Sequence, residues 1–217
     1  MRKEYTKVKK IESSIIEIEN VADVSYNAVV SVHALGMEFV GQVVKIDDET
    51  ISIEVFGNTQ DFSLDDIVIS FEEKPLAIPL NEKILGRTFN GLGKAIDNGG
   101  DIYSEKTYSV EGEPLNPVAR EYPRDFIQTG ISAIDTLTTL IRGQKLPIFS
   151  GSGLSHNEIA AQIVKQAKLK TDENFAFVFA AMGIKKDEAM FFEDAFNKAG
   201  VRDKVVMYQN LADSPIM

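Results

Sequence analysis

The first third of the chain alternates apolar and polar residues. Ile51, Ile53 and Val55 are separated by single polar residues, and a second run of this kind spans residues 67–72. A period of two predicts β-strands with one face in water. The run VVSVHALGMEFVGQVVKI predicts a hairpin whose tip lies near Gly36. Several short strands at this spacing favour a small barrel or sandwich, because closing a sheet removes its exposed edges.

From Thr129 onward the apolar pattern becomes helical. The run TGISAIDTLTTLIRG repeats isoleucine and leucine every three or four residues. This spacing predicts a helix that is capped by Thr129 or Ser132 and ended by Gly143.

Beyond this helix, apolar runs and amphipathic runs alternate. KLPIFS predicts a short strand, residues 157–169 a helix, and NFAFVFAAMG a strand buried on both faces. KDEAMFFEDAFNKAG predicts a helix that ends at Gly200, and KVVMYQNL predicts a further strand. The βαβαβ order predicts a parallel sheet covered by helices.

Two prolines mark a predicted domain boundary near Lys74. Pro75 and Pro79 bracket a short apolar step, and proline interrupts the hydrogen-bond ladder of a sheet. The following run GRTFNGLGKAIDNGG is rich in glycine and predicts a long, turn-rich loop without a phosphate-binding role.

Charge and composition exclude several function classes. The chain has 217 residues, a formal net charge of −10, no cysteine and two histidines. The acidic balance disfavours binding to nucleic acid, which requires a basic surface. Without cysteine there are no disulfides or thiolate metal sites, and two distant histidines disfavour a histidine metal site. His33 lies within a strand pattern and is interpreted as an ordinary strand residue. No apolar run is long enough to cross a bilayer.

One loop has the layout of a phosphate-binding site. The run KLPIFSGSGLSHNEIAAQI places a Gly- and Ser-rich turn between a predicted strand and a predicted helix. Backbone N–H groups at a helix N-terminus bind phosphates in such a layout. The candidate nucleotide-binding residues are Ser150, Gly151, Ser152, Gly153, Leu154, Ser155, His156 and Asn157.

The loop nevertheless lacks the residues that make phosphate binding tight. In the pattern G-x-x-x-x-G-K-[ST], His156 occupies the lysine position and Asn157 the position of the magnesium-binding hydroxyl. A histidine is mostly neutral at pH 7 and is no fixed positive charge. Asp187 and Glu188 are interpreted as first-turn acids of a helix rather than as water-orienting groups. The sequence therefore predicts no catalytic residue, no metal site and no tightly bound nucleotide.

Four segments together carry a resemblance to a known family. GRTFNGLGKAIDNGG, NPVAREYPRDFIQTGISAIDTL, RGQKLPIFSGSGLSHNEIAAQI and FAFVFAAMG resemble the B subunit of V/A-type rotary ATPases, the non-catalytic partner in an alternating A/B ring. The resemblance implies a small N-terminal β-barrel over residues 1–74. It further implies an incomplete RecA-like, P-loop NTPase domain over residues 75–217, with the family's C-terminal helical domain absent from the chain.

The resemblance also accounts for the altered loop. B subunits of this family typically carry His-Asn-Glu where catalytic subunits carry lysine and threonine, and His156, Asn157 and Glu158 match that variant. Ser155 departs from the family, which usually has proline there. At the position of the catalytic Gly-Glu-Arg run this chain has Gly183 followed by isoleucine and lysine, so the catalytic glutamate is missing.

The resemblance implies a function in ATP-coupled ion transport. The expected partners are the catalytic A subunit in a hexamer and the central and peripheral stalk subunits, with Mg-ATP bound only at the interface with the catalytic subunit. The expected location is cytoplasmic, peripheral to the membrane. Two alternatives remain open at this point. One is an active RecA-class NTPase motor, such as a helicase-like or secretion ATPase, and the other is a non-functional gene fragment.

Overall fold

The structure is a computed structural model that describes residues 4–19, 21, 23–47, 50–122, 124–169 and 174–214. The described chain divides into two compact units. The first unit runs to Leu80 and includes Tyr103–Glu113, and the second comprises Asn81–Ile102 and Pro114–Asp213. The two units are defined by the contacts within the chain, and their bounds differ from those of the predicted domains. The predicted division into 1–74 and 75–217 therefore stays a prediction.

The secondary structure is rich in short strands. In chain order the strands and α-helices are β1 (Glu4–Tyr5), β2 (Val8–Glu12), β3 (Ile15–Glu19), β4 (Ala28–Ala34), β5 (Met37–Ile46), β6 (Thr50–Val55), β7 (Val68–Pro75), β8 (Ala77–Pro79), β9 (Thr88–Asn90), β10 (Thr107–Ser109), β11 (Ile127–Gln128), α1 (Ser132–Leu137), α2 (His156–Gln166), β12 (Lys168–Leu169), β13 (Phe177–Ile184), α3 (Lys186–Lys198) and β14 (Val205–Leu211). No helix among the described residues combines the length and apolar character needed to cross a membrane.

The first unit is built around one antiparallel sheet, as the alternating pattern predicts. Its strand order is β1-β7-β4-β5-β6-β3-β2, and β8 pairs separately with β10. Alternate residues of the strands form an aliphatic core. Its buried members are Ile16, Ile18, Ala28, Val30, Val32, Ala34, Val43, Ile51, Ile53, Val55, Ile67 and Ile69.

The predicted hairpin is confirmed. Strands β4 and β5 pair from Val29 opposite Gln42 to Ala34 opposite Met37. The remaining two residues, Leu35 and Gly36, form the turn and both have positive φ angles, 54° and 72°. A two-residue turn with both residues in the left-handed region matches the right-handed twist of the flanking strands.

The second unit contains a three-stranded parallel sheet in the order β13-β14-β9. Helix α3 covers one face of β13. The ring of Phe179 lies 4.5 Å from that of Phe192 and 5.4 Å from that of Phe196, measured between centroids. The helix ends as predicted, since Gly200 has a φ of 68° and the N–H of Val201 donates to the carbonyl of Phe196.

Three sequence predictions for the second unit are wrong. The run KLPIFS is no strand: residues 145–150, all of which are described, form no ladder, and Phe149 is 91% exposed. Pro147 lacks an N–H, and no described strand pairs with this segment.

Strand β13 is buried on one face only, because Val178 and Met182 on the other face are exposed. The glycine-rich run after Gly86 is no simple loop, since it contains the parallel strand β9.

The helix predicted from Thr129 to Gly143 is shorter than expected. Helix α1 spans only Ser132–Leu137, and neither Thr129 nor Ser132 caps it, because Ile131 occupies the N-cap position. Instead Thr129 donates from its N–H and its hydroxyl to Asp135. Beyond α1 the chain turns into an extended bridge, in which Ile141 pairs with Phe126. The β-branched residues after Leu137 favour this extended continuation.

A side-chain ion pair fixes the segment between β9 and the glycines that follow it. The guanidinium of Arg87 donates to both oxygens of Asp97 at 2.6 and 2.7 Å and to the carbonyl of Gly100 at 2.7 Å. Asp97 also accepts from the N–H groups of Thr88 and Gly99. These bonds, led by that of Arg87, hold the pKa of the Asp97 carboxyl well below its usual range.

Replacing a buried ring of α3 should destabilise the second unit. We expect Phe196→Ala, at a fully buried position, to lower the free energy of unfolding by about 3–5 kcal/mol because it leaves a cavity. Met190→Ala on the same helix, where the side chain is 59% exposed, is the matched control. All three α-helices of the described residues belong to the second unit, so urea unfolding followed by far-ultraviolet circular dichroism reports on it. Equal losses for the two variants would contradict the assigned packing.

Removing the Asp97 carboxylate should lower stability and reduce its pH dependence. We expect Asp97→Ala to lower the free energy of unfolding by about 1–2 kcal/mol, because the charged hydrogen bonds are lost. Since the folded-state pKa is depressed, this stabilisation is complete well above the ordinary carboxyl pKa of about 4 and is lost as the pH falls below it. Thermal melts between neutral and acidic pH should show that the variant loses less stability on acidification than the unaltered chain does. Asp101→Ala, an exposed carboxylate on the same segment, should change neither quantity.

Candidate functional site

The predicted phosphate loop lies on the surface of the second unit, directly before α2. Residues 150–156 are all exposed. The N–H of Leu154 donates to the carbonyl of Gly151, and the N–H of His156 donates to the carbonyl of Leu154. Gly153 adopts a φ of 82°, a conformation that side chains other than glycine rarely reach. The loop is therefore a compact turn whose N–H groups are partly used within it.

Helix α2 begins without a side-chain cap. Ser155 is the N-cap residue, and its hydroxyl makes no capping hydrogen bond. A side-chain contact instead joins the two ends of the loop, where Ser150 Oγ lies 2.9 Å from His156 Nδ1. The side chain in the lysine position thus contacts its own loop.

A hydrogen bond between Asn157 and Glu188 connects the start of α2 to α3. Asn157 Nδ2 donates to Glu188 Oε1 at 3.2 Å, and the other carboxylate oxygen of Glu188 accepts from the N–H of Lys185 at 3.0 Å. The position that binds magnesium in complete loops therefore contacts a carboxylate of α3. These two residues are 31 positions apart, so no local sequence pattern reveals the contact.

A shallow cavity of about 400 Å³ lies between the N-terminal turns of α2 and α3. It is lined by Gly153, Leu154, His156, Asn157, Glu158, Asp187, Glu188 and Phe191. Three of these residues are carboxylates and none is a lysine or arginine. Among the described residues no three acids or histidines are arranged to hold a metal ion.

The electrostatics of this cavity oppose a bound polyphosphate. A helix N-terminus contributes roughly half a positive charge. Glu158, Asp187 and Glu188 contribute three formal negative charges at the same place. Glu188 also replaces an anion as the acceptor at the N-terminus of α3, because its carboxylate accepts a hydrogen bond from the backbone N–H of the N-cap residue Lys185. The geometry offers neutral hydrogen-bonding groups but no fixed cation.

A second cavity, of about 390 Å³, lies near the other end of α2. It is lined by Gln128, Gly130, Lys165, Gln166 and Lys168. Both lysines are exposed and lie near the helix C-terminus, where positive charge interacts favourably with the helix dipole. Their position is explained by helix electrostatics alone.

Comparison with known protein families finds a similarity that lies mostly in the second unit. Residues 130–217 match the family model of the ATP synthase alpha/beta family, nucleotide-binding domain. This match includes the loop, α2, α3 and the strands β13 and β14. This part of the chain is therefore similar to the nucleotide-binding domain of the ATP synthase alpha/beta family.

Two curated relatives extend the similarity over the whole chain. It is 53% identical to the V-type ATP synthase beta chain 2 of Clostridium tetani (strain Massachusetts / E88), covering 100% of this chain and 48% of that protein. It is 47% identical to the V-type ATP synthase beta chain of Halothermothrix orenii (strain H 168 / OCM 544 / DSM 9562), covering 99% of this chain and 47% of that protein. The resemblance to the B subunits of V-type ATPases is thus confirmed, and the chain spans about half the length of these relatives.

Introducing a cation into the loop should improve polyphosphate binding. We expect His156→Lys combined with Asn157→Thr to raise the affinity for Mg-ATP by about tenfold or more, because the pair supplies the missing charge and metal ligand. Calorimetric titration measures the change. His33→Lys adds the same charge on an exposed strand residue of the first unit and should leave the affinity unchanged. Micromolar binding of Mg-ATP by the unaltered chain would contradict the electrostatic assignment.

Proposed function

We propose that the chain is the N-terminal part of a non-catalytic B subunit of a V-type ATP synthase or ATPase, which couples ATP hydrolysis or synthesis to proton or sodium transport. One observation carries the non-catalytic assignment. The cavity at the N-terminal turn of α2 is lined by three carboxylates and by no lysine. The curated relatives of the chain are named V-type ATP synthase beta chains.

The site supports a structural rather than a chemical role for this loop. Transfer of a phosphoryl group requires cations at the phosphates and a group that orients the attacking water. Gly183 is followed by Ile184 and Lys185 at the end of β13, where catalytic subunits carry glutamate and arginine. Glu188 is engaged by Asn157 and by the N–H of Lys185. On this basis Mg-ATP binds, in the complete protein, only at the interface with the catalytic subunit.

The domain organisation that belongs to this proposal has two parts. Residues 1–74 form the N-terminal β-barrel, supported by the seven-stranded antiparallel sheet of the first unit. Residues 75–217 form the beginning of the RecA-like domain, supported by the parallel order β13-α3-β14 and by the family match from residue 130.

The proposal also assigns partners and a location. The partners are the catalytic A subunit in an alternating A/B hexamer and the central and peripheral stalk subunits. Neither nucleic acid nor direct membrane insertion is involved, and the complex lies on the cytoplasmic side as a peripheral sector. Support comes from the names of the relatives and from the acidic charge.

Co-purification with the catalytic subunit tests this function. We expect the chain alone to hydrolyse no ATP and to form a complex with the A subunit of the same organism, detected by size-exclusion chromatography with light scattering. ATP hydrolysis by the isolated chain would favour the alternative, an active NTPase motor. A folded chain that binds no A subunit would favour the reading of a non-functional fragment.

A further inference from the structure

The tip of the β4–β5 hairpin carries an unusual residue for its backbone conformation. Leu35 and Gly36 both lie in the left-handed region, and a Cβ added at Gly36 would meet no atom within 4 Å. Turns of this kind favour asparagine, aspartate and glycine, because these residues reach positive φ at low cost. Leucine has neither the small size nor the local hydrogen bonds that make this conformation favourable.

Comparison within the chain makes the contrast plain. Five non-glycine residues among those described have positive φ angles: Ser13, Asp23, Asn27, Leu35 and Asn98. Four of them are serine, aspartate or asparagine, whose short polar side chains are able to hydrogen-bond to nearby backbone, and Leu35 is the exception. A strained backbone conformation persists where the residue has another role, so Leu35 requires an explanation other than turn formation.

The fold itself gains little from the Leu35 side chain. Leu35 is 50% exposed, and Met37, on the other side of the turn, is 56% exposed. The core of the sheet begins below them at Ala34, which is 3% exposed. Residues 35–37 therefore form an apolar tip at the end of the hairpin, with strain at its first residue and open space around it.

The charge of the first unit restricts what can cover this tip. Residues 1–80 and 103–113 contain 8 lysines and arginines against 18 aspartates and glutamates, a difference of −10 that equals the net charge of the whole chain. The second unit is therefore formally neutral. Two first units that approach each other repel, whereas a surface with positive charge is attracted.

We propose that the apolar tip, Leu35 to Met37, is a docking element that inserts into an apolar recess with a basic rim on a different, neighbouring subunit of the ring. The proposal rests on the function assigned above, which supplies the neighbouring subunit. It adds the contacting residues and the chemistry of the surface that receives them. An apolar tip on a unit of strongly negative net charge selects a complementary neighbour and disfavours a second copy of this chain.

Replacing Leu35 by asparagine separates folding from docking. Asparagine suits the left-handed turn, so we expect Leu35→Asn to raise the melting temperature of the isolated chain by a few degrees or leave it unchanged. The same change removes the apolar contact, so the dissociation constant for the purified A subunit should rise about tenfold. Biolayer interferometry measures the constant, and higher salt should weaken binding of the unaltered chain.

Two further variants act as controls. Leu64→Asn removes another exposed leucine of the first unit, 45% exposed, at a residue without positive φ, and should leave the dissociation constant unchanged. Met37→Gln lies in the tip but outside the strained turn. It should weaken binding several-fold without raising the melting temperature.

The outcomes distinguish this inference from the proposed function. If the unaltered chain binds no A subunit, the function fails and the inference fails with it. If the unaltered chain binds and Leu35→Asn binds equally well, the docking element alone is refuted. Loss of both stability and binding in Leu35→Asn would show that the leucine serves the fold, and self-association through the tip would refute the assigned neighbour.

Discussion

The packing of α3 on β13 determines the character of the candidate site. Phe192 and Phe196 hold the helix against Phe179, and this contact fixes where the first turn of α3 lies. Glu188 lies on that first turn and contacts Asn157 at the start of α2. An aromatic contact in the core thus brings a carboxylate to the position where a complete phosphate loop binds its metal ion. The charge of the site follows from hydrophobic packing.

Two electrostatic effects compete at the N-terminus of α2, and their relative magnitudes determine whether an anion binds there. The helix dipole favours an anion with roughly half a unit of charge, an effect worth at most about 2 kcal/mol. Three carboxylates around the same cavity oppose it, while the lysine that would normally compensate is replaced by His156. Backbone geometry alone therefore makes a loop of this shape, and side-chain charge determines whether the loop binds nucleotide.

The sequence predicted those elements whose pattern arises from their own packing. The β4–β5 hairpin, α3 and β14 each have a clear period and a clear stop signal, such as Gly200, and each is confirmed. The failures depend on distant partners. KLPIFS has a strand-like composition, but a strand also needs a neighbour to accept its hydrogen bonds. Strand β9 lies in a glycine-rich run and exists because β14 pairs with it.

The candidate site divides in the same way. The absence of lysine in the loop could be read from single residues, whereas the Asn157–Glu188 contact joins two segments that no spacing rule relates. Similarly, the pattern of residues 29–46 predicted a turn near Gly36 but not that Leu35 adopts a left-handed conformation with its side chain half exposed. The sequence pattern identifies the turn. The unfavourable backbone conformation of Leu35, which only the structure shows, identifies the hairpin tip as a candidate contact surface. A residue type that is unfavourable in its own backbone conformation is informative, because selection for folding alone would have favoured another residue type there.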